Sequence, residues 1–177
     1  MTNFINFMTI ARMLLAPIIL VSLIFSNYLI CVLLFFLAGL TDYFDGYLAR
    51  KYNAVSELGE ILDPIADKIL VVFILIGLSV ELDSQLMAIL SSFIIAREIG
   101  IAALRDYSAR NNLTDRTKVT FLAKAKTSIQ LFTIGLYLLA LTISFNLLIV
   151  ISDIFLIIAT LVTLYTGYQY ILNVFKK

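Results

Sequence analysis

The chain has 177 residues, of which 62% are hydrophobic and only 14% charged, with a mean hydropathy of +1.02. Soluble domains carry roughly 25% charged residues, so this composition belongs to an integral membrane protein, and the formal net charge of +1 offers no global field for nucleic acid. Histidine is absent, which excludes imidazole as base or metal ligand and leaves carboxylates, lysines, tyrosines and hydroxyls for any chemistry.

A membrane core about 30 Å thick takes roughly 20 helical residues. Apolar runs of that order predict six spans, near Ile10 to Phe25, Tyr28 to Leu48, Glu60 to Val80, Leu86 to Leu104, Val119 to Ser144 and Leu147 to Ile171. Residues 2–9 are expected along the interface. With no basic region before the first run and no small-residue cleavage site, the first span reads as an uncleaved helix. Cys31, the single cysteine, reads as a packed thiol. The turns at Ser26 and Asn27, from Glu81 to Gln85 and near Asn146 lack basic residues, whereas Arg50, Lys51, Arg110, Arg116, Lys118, Lys176 and Lys177 fall on the other side. The positive-inside rule then makes both termini cytoplasmic and Ala49 to Ser56 a cytoplasmic turn. The expectation is an all-α integral membrane protein of six transmembrane helices, with residues 1–177 forming a single membrane domain.

The charge is concentrated between the second and third spans, in "TDYFDGYLARKYNAVSELGEILDPIADK". Asp42 and Asp45 are three apart and Asp63 and Asp67 four apart, so on helices each pair projects from one face. A charge in a span costs about 2.5 to 3.5 kcal/mol at the centre and less near the edge, so four acids need a cationic partner. Oxygen-rich sites suit Mg²⁺ or Mn²⁺, and four carboxylates are enough for two ions bridged by phosphate oxygens. Gly46, Ala49 and Gly59 sit one helical turn from an aspartate and leave space beside it, for a ligand or for close helix packing. Lys68 reads as a local counter-charge. Pro64 either bends the third helix or marks its first turn. Asp153, a lone acid in the last span, reads as an interfacial charge without a role in the chemistry.

Further along, Arg97, Glu98 and Arg105 fall in or at the end of the fourth span, and Lys124 and Lys126 at the start of the fifth. Glu98 and Arg105, seven apart, share a helix face and are expected to neutralise one another in part. Arg97 lies well inside the span, where burial without an anionic partner is costly. Arg97, Arg105, Lys124 and Lys126 together fit a phosphate dianion on a substrate. The lysines fit equally well as anchors reaching the interface.

Taken as one pattern, Asp42-x-x-Asp45-Gly46-x-x-Ala49-Arg50, eight residues, then Gly59-x-x-x-Asp63-x-x-x-Asp67, the segment resembles the signature of the CDP-alcohol phosphatidyltransferase family. That resemblance implies six transmembrane helices, a homodimer, and transfer of a phosphatidyl or similar group from a CDP-linked donor to an alcohol with release of CMP. It further implies that Asp42, Asp45, Asp63 and Asp67 bind two divalent cations, that Asp67 is also the base, and that Gly46, Ala49, Arg50 and Gly59 shape the CDP-donor site. Asn6-x-x-Thr9-x-x-Arg12 and the stretches "IAREIGIAALRDYSA" and "LAKAKTSIQ" extend the likeness to most of the chain, although Ala123 stands where the family usually has glycine. They resemble the bacterial branch that takes CDP-diacylglycerol and sn-glycerol 3-phosphate to phosphatidylglycerophosphate, which implies phospholipid synthesis at the cytoplasmic face of the cell membrane. An inositol phosphate acceptor would want the same cations, and phosphatidylglycerol is a further alternative. Outside the family, an intramembrane prenyltransferase would also use paired aspartates, and a divalent-cation transporter would line its path with acids at mid-membrane.

Overall fold

The structure is a computed structural model that describes residues 2–52, 57–111, 113 and 121–175. The side chains of some helical residues, among them Ala49, Arg50 and Lys124, lie outside that description. Six helices follow one another: α1 (Thr2–Ile24), α2 (Tyr28–Tyr52), α3 (Glu57–Glu81), α4 (Gln85–Arg110), α5 (Phe121–Ile143) and α6 (Asn146–Phe175). There is no strand among the described residues. Five of the helices are long and apolar enough to cross a membrane. The sixth, α3, carries Asp63, Asp67 and Lys68 along its first half and Glu81 at its end.

Each predicted span has its helix, and the differences lie at the ends. Residues 2–9 are continuous with α1. The second helix runs through Tyr52, so residues 49–52, expected in a turn, are helical, and residues 53–56 of that expected turn lie outside the described residues. Arg50 and Lys51 end an apolar window but, like Ala49, are good helix formers, which is why hydropathy stops before the helix does. Pro64 is interior to α3, not in its first turn, and Pro17 is likewise inside α1; each removes one backbone donor from its helix.

Three tight turns join α1 to α2, α3 to α4 and α5 to α6, and each contains a residue in the left-handed region: Ser26 (φ 55°), Asp83 (φ 45°) and Ser144 (φ 53°). At the first, Asn27 N–H donates to Ser22 O (2.9 Å) and Ser26 N–H to Leu23 O (2.8 Å), a Schellman closure that satisfies the last carbonyls of α1. Ser84 caps α4, its hydroxyl accepting from Met87 N–H at 3.2 Å.

The chain forms two compact units. In the first, Met1–Asp83 with Leu138–Ser144, α1 packs on both α2 and α3. Ala16, Ile19 and Leu23 of α1, Ala38 of α2 and Ile74, Leu75 and Leu78 of α3 are buried there. A Cβ on Gly77 would lie 2.8 and 2.9 Å from Cδ1 of Leu23 and Leu20, so α3 approaches α1 closely because that residue has no side chain. Cys31 is buried as expected, its Sγ 3.7 Å from Ile19 O.

In the second unit, Ser84–Tyr137 with Phe145–Lys177, α4 packs on α6. The inward face of α6 is built largely from small residues, Ser152, Ala159, Thr160, Thr163, Thr166 and Gly167, which let backbones come close where burial of apolar surface gives no drive between lipid-embedded helices. The α6 hydroxyls of Ser152, Thr160 and Thr166 are satisfied within the helix by the carbonyls of Leu148, Leu156 and Val162.

Candidate active site

In the first unit the acidic stretch is organised by α1. Thr9 and Arg12, three apart, stand on one face of that helix and both are buried. Thr9 Oγ1 donates to Asp63 Oδ1 at 2.8 Å. The Arg12 guanidinium gathers the other three aspartates: Nη1 bonds Asp42 and, at 2.6 Å, Asp67, while Nη2 bonds Asp45. Two residues of one helix therefore tie together all four acids of the pattern. The counter-charge expected from Lys68 is supplied instead by Arg12; among the described residues Lys68 makes no ion pair.

Burial divides the cluster. The Arg12 and Asp45 side chains are 1% and 4% exposed, whereas Asp42 and Asp67 are 52% and 51% exposed. The arginine and Asp45 form an inner wall, and Asp42 and Asp67 form a face that a ligand can reach. Four carboxylates against one guanidinium leave negative charge to spare, and an all-oxygen donor set is the chemistry that Mg²⁺ or Mn²⁺ selects. Among the described residues no three acids already form a metal cage; three are turned onto the guanidinium. The residues fit divalent cations by donor type and charge, provided that Arg12 yields. Of the positions expected at the CDP donor, Gly59 is buried and Gly46 half-buried, while the side chains of Ala49 and Arg50 lie outside the described residues.

In the second unit Arg97, Glu98, Arg105 and Lys126 converge, although not in the predicted pairs. Glu98 accepts from Arg97 Nη1 at 3.1 Å and from Lys126 Nζ. Arg105 donates to the hydroxyl of Tyr170 at 3.0 Å, so the expected neutralisation of Arg105 by Glu98 gives way to a neutral partner on α6. The adjacent Arg97 bends back to Glu98, and helix spacing alone does not reveal that. Arg97 also donates through Nε to Thr163 O (3.1 Å) and through Nη2 to Thr166 Oγ1 (2.9 Å). Its stem lies against Gly167, where a Cβ would come 3.0 Å from Arg97 Cγ and 3.3 Å from Nε. Gln130 adds a bond to Thr163 Oγ1 at 2.9 Å. The Lys124 side chain lies outside the described residues.

Two cationic heads thus share one carboxylate in a nearly buried setting, with Arg97, Lys126 and Glu98 8%, 6% and 14% exposed. The group keeps net positive charge, which a phosphate would neutralise. Thr163, Thr166 and Gly167 escape a sequence reading because they sit inside an apolar run and carry no charge. Asp153 is not a bare interfacial charge: Tyr137, buried on α5, donates to it at 2.5 Å.

Among the described residues the chain is helical, with five helices long and apolar enough to span a membrane and a carboxylate cluster backed by arginine, an arrangement that fits an integral membrane protein handling a cationic or metal-bound ligand. The family model of CDP-alcohol phosphatidyltransferase matches residues 2–165, and the chain belongs to that family. Curated relatives carry the name CDP-diacylglycerol--glycerol-3-phosphate 3-phosphatidyltransferase, among them the following three. The protein from Rickettsia felis is 37% identical over 172 residues, covering 95% of this chain and 93% of its own. The one from Rickettsia bellii is 39% identical over 173 residues, with 95% and 93% covered. That of Haemophilus influenzae is 34% identical over 168 residues, with 93% and 89% covered. Family membership leaves the prenyltransferase and transporter readings without support.

Proposed function

We propose that the chain transfers the phosphatidyl group of CDP-diacylglycerol to sn-glycerol 3-phosphate, yielding phosphatidylglycerophosphate and CMP. The observation that carries the proposal is the gathering of Asp42, Asp45, Asp63 and Asp67 around Thr9 and Arg12. The names of the relatives point to the same donor and acceptor.

In this reading the four aspartates hold Mg²⁺ or Mn²⁺. When bound, the ions neutralise charge developing on the diphosphate as CMP departs. Gly46, Ala49, Arg50 and Gly59 shape the cytidine diphosphate site. Asp67, with half of its side chain open, takes the proton of the acceptor hydroxyl as that oxygen attacks the lipid-side phosphorus in line. A carboxylate is a weak base, so the proton leaves late, after the new P–O bond is well advanced. Arg97, Arg105, Lys124 and Lys126 bind the acceptor phosphate. Glu98 spaces Arg97 and Lys126 and keeps two buried cations from repelling each other before the acceptor arrives.

The whole chain acts as one membrane domain with six spans, both termini and the active site at the cytoplasmic face of the cell membrane, and works as a homodimer. The positive-inside pattern supports the orientation, and the family resemblance supports the dimer.

The test is CMP release by purified protein in detergent with CDP-diacylglycerol and Mg²⁺, comparing glycerol 3-phosphate, inositol phosphate, inositol, serine and phosphatidylglycerol. Turnover confined to glycerol 3-phosphate is expected. Turnover with inositol phosphate alone would keep the mechanism and replace the acceptor.

A further inference from the structure

Two buried arginines serve different ends in this protein, and their nitrogens tell them apart. Arg97 is fastened along its length: Nε to a backbone carbonyl, Nη2 to a threonine hydroxyl, Nη1 to a carboxylate, with its stem against Gly167. Arg12 is held only at its tip. Its two terminal nitrogens bind three carboxylates from two helices, while Nε is buried without a protein partner. The hydrogen bonds of the buried Arg12 head run to carboxylates alone.

The oxygens it occupies are Asp42 Oδ1, Asp45 Oδ2 and Asp67 Oδ1. A divalent cation and a guanidinium cannot both sit at contact distance from the same oxygens without strong like-charge repulsion. From this geometry we infer that Arg12 is an exchangeable internal counter-cation. It holds Asp42, Asp45 and Asp67 together while the site is free of metal, and it leaves them as divalent cations bind. The inference rests on the metal reading of the aspartates. Arg12 is a positioning residue in this account: it prevents the three acids from repelling one another and sets, by competition, how tightly the ions are held. Asp63, tied to Thr9, stays outside the exchange and remains available as the first carboxylate to meet an incoming ion.

The test uses the full-length protein in detergent, stripped with a chelator and titrated with Mn²⁺ while free Mn²⁺ is read by electron paramagnetic resonance. Removing the competition of even one charge-assisted hydrogen bond is worth about tenfold in affinity, so Arg12→Gln should bind Mn²⁺ at least about tenfold more tightly than wild type. The same variant should melt at lower temperature without metal and recover with Mn²⁺. Wild-type protein supplies a second readout that needs no variant to fold. Phenylglyoxal followed by mass spectrometry should leave Arg12 unmodified in the metal-free protein and modify it at saturating Mn²⁺. Mn²⁺ affinity no higher in Arg12→Gln than in wild type, or Arg12 modification indifferent to Mn²⁺, would overturn the exchange. Asp45→Asn separates the underlying reading: equal Mn²⁺ binding by this variant and wild type would overturn the metal site itself, and the exchange with it.

Discussion

Gly167→Ala is the most informative small change in the cluster proposed to bind the acceptor phosphate. The added Cβ would meet Arg97 Cγ at 3.0 Å and Nε at 3.3 Å, so the arginine must move away from α6 by a few tenths of an ångström. Two of its three bonds, to Thr163 O at 3.1 Å and Thr166 Oγ1 at 2.9 Å, are made to that same helix and lengthen together. Hydrogen bonds of a charged group contribute about 1.5–3 kcal/mol each, and weakening two of them by about a third costs about 1–2 kcal/mol. Alanine returns about 1 kcal/mol of helix propensity, so overall stability changes little. The displaced guanidinium should instead appear as a rise of about 5- to 30-fold in KM for glycerol 3-phosphate, with the KM for CDP-diacylglycerol unchanged. Initial rates of CMP release, with each substrate varied at saturating levels of the other, separate the two. Gly100→Ala is the control, since a Cβ there meets nothing within 4 Å, and its kinetics should match wild type. An unchanged acceptor KM in Gly167→Ala, or an equal rise for donor and acceptor, would refute the placing of Arg97 at the acceptor phosphate.

Three further changes test other parts of the account. Thr9→Val removes the donor to Asp63 and should raise the Mg²⁺ concentration for half-maximal activity by about fivefold, the equivalent of roughly 1 kcal/mol, with the melting temperature nearly unchanged; an unaltered Mg²⁺ dependence would count against Thr9 as a support for the acid. Tyr137→Phe strips Asp153 of its hydroxyl partner and should destabilise the protein by about 1–3 kcal/mol, while adding Asp153→Leu should recover most of that loss. Thermal unfolding in one detergent measures both. Ser144→Gly relieves a left-handed residue at the α5–α6 turn and should stabilise by up to about 1 kcal/mol in the same assay; a loss of stability would contradict strain at that turn.

Hydropathy made the helices legible because five of them are long apolar runs and the second half of α3 is another, and failed at their ends because charged residues that favour helix still interrupt an apolar window. Residues 49–52 are the clear case. The acids were legible because their spacing repeats at helical period within one segment. Their counter-charge was not. Lys68 lies beside Asp67 in the chain, whereas Arg12 precedes Asp42 by 30 residues and Asp67 by 55, and only the packing of α1 on α2 and α3 brings it there. The same limit applies to Glu98, where helix period pointed to Arg105 and the side chains chose Arg97 and Lys126. Thr163, Thr166 and Gly167 illustrate the complementary case: their importance comes from the backbone oxygen, hydroxyl and empty space they present to Arg97, none of which distinguishes them within an apolar helix.

Phosphatidyl transfer to glycerol 3-phosphate is expected to depend on the aspartates gathered by α1. The most direct test follows labelled glycerol 3-phosphate into chloroform-soluble product in the presence of CDP-diacylglycerol and Mn²⁺, with wild type beside Asp67→Asn. The account predicts label in lipid matched one for one by CMP with wild type, and no label in lipid with the variant. Labelled lipid formed equally well by Asp67→Asn, or CMP released by wild type with no label entering lipid, would contradict it.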